Sequence, residues 1–141
     1  MKEAARQEKN VIACGVAIIR RGRNFLIAQR KKNDSFGNYW EFPGGKKNHG
    51  ETFEECVVRE AREEVGIQIR VEQKLMEIRR SYNQKIIWLN FYLCVPISGE
   101  PIALECLKTQ WADVTDLKSF RFPPANDKVI RRLLERFGAV S

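Results

Sequence analysis

A chain of 141 residues, 43% hydrophobic and 30% charged, fits one ordinary domain with its own core and leaves little room for a second. The first ten residues, MKEAARQEKN, lack the apolar stretch of a secretory signal, and no apolar run is long enough to cross a bilayer. That excludes a membrane-spanning role and makes the cytoplasm the default location, while the net charge of +7 favours polyanions without separating a nucleotide from a nucleic acid.

Taken in chain order, residues 1–10 read as a mobile extension. Val11 to Ile19 is rich in β-branched residues, and Phe25 to Gln29 follows a polar stretch containing Gly22, which predicts a β-hairpin. Lys31 to Tyr39 is a polar loop. A short segment from Trp40 to Pro43 then runs into Gly44 and Gly45, where proline and paired glycines are expected to stop regular structure. Thr52 to Val65 reads as a helix, with Thr52 as N-cap, Glu55 completing a capping box and Gly66 ending it. Ile67 to Arg80 and Lys85 to Val95 predict a second, longer hairpin turning at Ser81 to Gln84. Gln110 to Val114 predicts a short strand, and a final helix is expected from about Asn126 to Phe137. The four cysteines, at 14, 56, 94 and 106, form no CxxC pair and are expected to be small buried apolar residues.

Chemistry concentrates on the first helix. Phe53, Val57 and Ala61 form an apolar stripe, and Glu60, Glu63 and Glu64 gather along one edge beside it. Like charges at i and i+4 weaken an isolated helix by a few tenths of a kcal/mol. The bland reading is a solvated face balanced by Arg59 and Arg62. The sharper one is a hard divalent cation shared between carboxylates and substrate phosphates. Arg59 can reach back to Glu51 or Glu63, and Gly44 and Gly45 allow close approach of the backbone. A Walker A loop is excluded, because the frame GKKNHGET places Glu51 where lysine belongs. The lone histidine, His49, leaves acid and base work to carboxylates.

The segment GKKNHGETFEECVVREAREEVGI resembles the Nudix box, with Gly45, Glu51, Arg59, Glu60, Glu63, Glu64, Gly66 and Ile67 in register. Ala61 departs from it, standing where a larger aliphatic belongs. WEFPGG at Trp40 to Gly45 and FPPAN at Phe122 to Asn126 extend the resemblance to the MutT-type members. The resemblance implies an α+β Nudix fold, a mixed β-sheet sandwiched between α-helices, spanning residues 1–141 as one domain. It implies Mg²⁺, or Mn²⁺, held by Gly44, Gly45, Glu60, Glu63 and Glu64, with Glu105 as a further ligand. Glu60, Glu63, Glu64 and Arg59 then carry catalysis.

For the nucleotide, the resemblance implies contacts from Arg30, Glu41, Phe42, Pro43, Gly44 and Asn126, the asparagine reading a purine edge. Without it, Asn126 reads first as an N-cap for the last helix. Where MutT enzymes can carry a histidine in the preceding loop, this chain has Ser35 and Phe36. The implied activity is conversion of 8-oxo-dGTP to 8-oxo-dGMP and pyrophosphate, in nucleotide-pool sanitation, by a monomer that needs no nucleic acid. Two alternatives stay open: another nucleotide such as CTP or a dinucleoside polyphosphate, and a non-catalytic module that binds oxidised guanine.

Overall fold

The computed structural model describes residues 10–139, so most of the expected N-terminal extension lies outside the described residues. In chain order the elements are strands β1 (Val11–Arg21), β2 (Asn24–Gln29), β3 (Trp40–Glu41) and β4 (Gly44–Lys46), helix α1 (Phe53–Val65), strands β5 (Gln68–Tyr82), β6 (Lys85–Ser98) and β7 (Lys108–Asp113), 3₁₀ turns at Val114–Ser119 and Pro124–Asn126, and helix α2 (Asp127–Phe137).

β1 is the spine. Its near-continuous apolar run buries both faces, as a strand covered on two sides must. Val16 and Ile18 join a cluster with Phe25, Phe91, Val129 and Leu133 on the α2 side. Ala17 and Ile19 join Val57, Ala61, Val65 and Cys94 on the α1 side. Fully burying each of the larger side chains contributes about 2 kcal/mol. The sheet therefore lies between two helices, and it is mixed, with β1 and β6 parallel and the other pairs antiparallel, as the α+β expectation requires; the order is β3-β2-β1-β6-β5, with β4 on β1 and β7 on β2.

Three pairings go beyond the local reading. β1 runs parallel to β6, from Val11 beside Ile86 to Ile19 beside Cys94. The expected first hairpin closes with only two ladder pairs, Arg20 with Phe25 and Arg21 with Asn24, because the rest of β2 pairs with β7 and β3. Gly44 to Lys46 is a strand antiparallel to β1, so the glycine pair does not end regular structure there. A Cβ on Gly44 would lie 2.5 Å from the Gly15 carbonyl oxygen, so the crossing needs a residue without one. The longer hairpin turns on two residues, Asn83 and Gln84, both at positive φ, the backbone of a type I′ turn.

Candidate functional site

Two tight caps fix α1. The Thr52 hydroxyl accepts from the Glu55 N–H at 3.0 Å, and the Glu55 carboxylate accepts from the Thr52 N–H at 2.8 Å. Gly66 takes the left-handed conformation at the other end. The apolar stripe seats on β1, where a Cβ on Gly15 would come within 3.0 Å of Cys56 and Val57. Ala61, the departure from the box, is fully buried there.

Arg59 gathers the start of the site. It donates to Glu51 from Nε at 2.7 Å and from Nη2 at 3.0 Å, a two-pronged contact. Nη1 reaches Glu60 at 2.8 Å and Glu63 at 3.1 Å, and Nη2 also meets the Lys46 carbonyl at 3.0 Å. The fork thereby ties the Lys46–Glu51 loop to the helix. It holds the Glu51 carboxyl down at about 2, well below the usual carboxylate range.

Glu60 and Glu64 turn toward the glycine pair. The Glu64 carboxylate accepts from the Gly44 N–H at 2.7 Å, and a Cβ on Gly45 would lie 2.6 Å from the Glu60 carboxyl carbon. The Cys56 thiol donates to the Gly45 carbonyl at 3.5 Å. Glu63 differs: its side chain is 45% exposed and lies against Arg59. Glu64 is only 7% exposed, and burial with the neighbouring charges of Glu41, Glu60 and Glu105 pushes its carboxyl up to about 9. Its own carbonyl accepts from the Leu104 and Glu105 N–H groups at 3.0 and 3.2 Å, which brings the Glu105 loop alongside.

Among the described residues, no group of three or more His, Cys, Asp or Glu side chains is drawn together closely enough to hold a metal ion. The chemistry of the donors nevertheless fits a hard dication. All are oxygens, and the buried Glu64 lies among three other carboxylates that disfavour its ionised form. His49 is exposed in the loop.

Beside this carboxylate edge opens a cavity of about 320 Å³, floored by Cys14, Val16, Ile87 and Leu89 and reaching Gly44 and Gly45. Arg30, Glu41, Phe42 and Asn126 line it. Arg30 donates to Glu41 at 2.6 Å and to the Ser35 carbonyl at 2.6 Å. Burial raises the Glu41 carboxyl despite that guanidinium. Phe42 stacks on Phe122 at 5.1 Å between ring centroids. Pro43 is buried, and its carbonyl accepts from the Ala17 N–H at 2.7 Å, pinning the chain between β3 and β4. Asn126 is 9% exposed, and its amide donates to the Pro123 carbonyl at 3.1 Å. Among the described residues it makes no side-chain cap to α2, so the capping alternative falls.

Glu105 is exposed on its loop and touches the site through Glu64 rather than through the cavity. Cys14 is only half-buried, unlike the other three thiols, because the cavity reaches it. Beyond the expected contacts, the cavity is also lined by Cys14, Val16, Phe36, Ile87, Leu89, Pro123 and Ala125. Alternation along β1 could have put Cys14 on the same side as Val16 and Ile18. Phe36, Pro123 and Ala125 lie in segments that the resemblance already marks, and nothing local marks Ile87 and Leu89.

Residues 15–132 match the family model described as NUDIX domain. The chain is 39% identical over 130 residues to the 8-oxo-dGTP diphosphatase of Haemophilus influenzae, covering 90% of this chain and 94% of that one. It is 32% identical to the CTP pyrophosphohydrolase of Escherichia coli, covering 88% and 89%. The solution structure of the E. coli ORF135 protein superposes with a TM-score of 0.81 at 28% identity, over 89% of this chain and 90% of that one.

Proposed function

This chain belongs to the NUDIX family, and from that premise we propose that it is a divalent-metal-dependent nucleoside triphosphate pyrophosphohydrolase that takes 8-oxo-dGTP to 8-oxo-dGMP and pyrophosphate. The observation that carries the reading is the junction at Gly44 and Gly45, where the Glu60 and Glu64 carboxylates meet the base-sized cavity lined by Arg30 and Asn126. A triphosphate laid along it has its base among apolar walls and its phosphates at the carboxylates.

Glu60 and Glu64 would hold Mg²⁺ or Mn²⁺ with the carbonyl of the glycine pair, and Glu63 and Glu105 are the further candidate ligands of the set. Bound there, the ion supplies charge neutralisation for the anhydride oxygens and lowers the cost of water attack. The chain's residues do the rest. Arg59 keeps Glu60 from swinging away, and a carboxylate of the set takes the proton from the attacking water. Arg30, held by Glu41 and the Ser35 carbonyl, aims a fixed cation into the cavity. The Asn126 amide offers both a donor and an acceptor to a purine edge. The phosphoanhydride bond breaks, and the two products leave as a monophosphate and pyrophosphate.

The similarity to both an 8-oxo-dGTP and a CTP enzyme makes the base the open variable. Initial rates on 8-oxo-dGTP, dGTP and CTP with Mg²⁺, read as pyrophosphate release, test the assignment. The reading expects the oxidised guanine nucleotide to have the highest kcat/KM. Preference for CTP would move the chain to the other activity, and metal-independent binding without release would remove the enzymatic one.

A further inference from the structure

The loop between β2 and β3 presents an aromatic ring that lies outside the buried core. Phe36 is 45% exposed, yet it lines the same cavity as Arg30, Glu41 and Asn126. Its backbone sits at φ 54°, in the left-handed region that a bulky side chain adopts at a cost. Such strain persists only where the surroundings over-determine it, and here they do. Arg30 grips the Ser35 carbonyl, the Asn38 N–H donates to the Arg30 carbonyl at 3.1 Å, and the Tyr39 N–H donates to the Phe36 carbonyl at 3.1 Å. A Cβ on Gly37 would fall 2.0 Å from the Lys32 carbonyl oxygen, so the loop is closed tightly on itself. The Phe36 ring leans edge-on against Tyr39 at 5.3 Å, and Tyr39 is covered in turn by the Arg121 guanidinium at 4.9 Å. A glycine or asparagine would relieve the backbone, and a polar side chain would suit the solvent.

We propose that Phe36 is a substrate-binding residue, the aromatic wall against which the base of the bound nucleotide packs, held in place by the same Arg30 that lines the cavity. The inference rests on the nucleotide reading of the site and adds to it a contact with the base's π-face, where Asn126 addresses the edge. Aromatic packing is tolerant of base identity, so Phe36 contributes affinity for any nucleobase and leaves edge discrimination to Asn126.

The test sets stability against binding. Phe36→Asn places a residue that tolerates positive φ, so its melting temperature should equal or exceed that of the wild type. Its Kd for dGMP, measured by calorimetry, should rise about tenfold, the size of one base–aromatic contact. KM for dGTP should rise more than kcat falls, and Phe36→Trp should restore both. Equal dGMP affinity in the wild type and Phe36→Asn overturns the inference, as does a Phe36→Trp protein no better than Phe36→Asn. Absence of triphosphate turnover in the wild type, with dGMP affinity still dependent on Phe36, would remove the hydrolase reading and leave the aromatic wall standing.

Discussion

The two helices begin in opposite ways. α1 starts with a reciprocal capping box and ends on a left-handed glycine, so its azimuth and both its ends are fixed. α2 starts behind Pro124 with Asn126 in the cap position, but that side chain turns away from the helix N–H groups and into the cavity. A good cap stabilises by about 1 kcal/mol, which α2 forgoes. The contrast teaches where each half of the site gets its precision. The carboxylates depend on a locally rigid helix, whereas the base pocket depends on an asparagine released from capping and on a loop held by Arg30.

The strongest way to break the carboxylate half is Glu60→Gln. We expect turnover to fall by about a thousandfold, the scale of losing a carboxylate that aids proton transfer, with an unchanged melting curve; wild-type turnover would refute the role. Next comes Arg59→Ala, which strips partners from Glu51, Glu60 and Glu63 at once. Unfolding free energy should drop by roughly 3 kcal/mol, as for other largely buried ion pairs, and Arg59→Lys should recover little of it because the two-pronged contact is lost. Chemical denaturation measures both.

The cap comparison gives a smaller, sharper pair. Thr52→Ala should cost about 1 kcal/mol, while Asn126→Ala should cost less in stability and more in kcat/KM for a guanine nucleotide. A stability loss at Asn126 as large as at Thr52 would return it to a capping role.

The smallest effect is on acid. Glu51 is held down at about 2, largely by Arg59, so its contribution to stability is complete above the ordinary carboxylate value of 4.5. It fades as pH falls from there toward about 2. Melting temperatures of the wild type and Glu51→Gln between pH 7 and pH 3 should therefore converge on acidification; a constant gap would show that the pair contributes nothing.

The contrast also marks what could be read in advance. α1 was legible to the residue because Thr52, Glu55 and Gly66 signal through contacts three or four positions apart. The carboxylate edge was legible for the same reason, though the outward turn of Glu63 was not, since it follows from the reach of Arg59. The strand character of Gly44 to Lys46 was hidden because its partner, β1, lies about thirty positions upstream, and glycine there answers a close backbone crossing rather than a turn. The cavity floor was hidden too. Ile87 and Leu89 read as ordinary strand residues until the parallel pairing sets them beside Ile12 and Cys14. Asn126 carries two readings in the sequence, a cap and a nucleotide contact, and only the placement of its side chain distinguishes them.

The last carbonyls of α1 have an unusual clientele. Ile102 donates to the carbonyl of Val65, and Leu104 and Glu105 to that of Glu64. The stretch from 102 to 105 thus works as a clasp on a helix end, although it contains no regular element of its own. Length changes should be unevenly tolerated along the chain as a consequence. Extra residues at the Asn83–Gln84 tip would merely lengthen a ribbon, whereas one residue added between Ile102 and Glu105 would unfasten the clasp and loosen the backbone that carries Glu64.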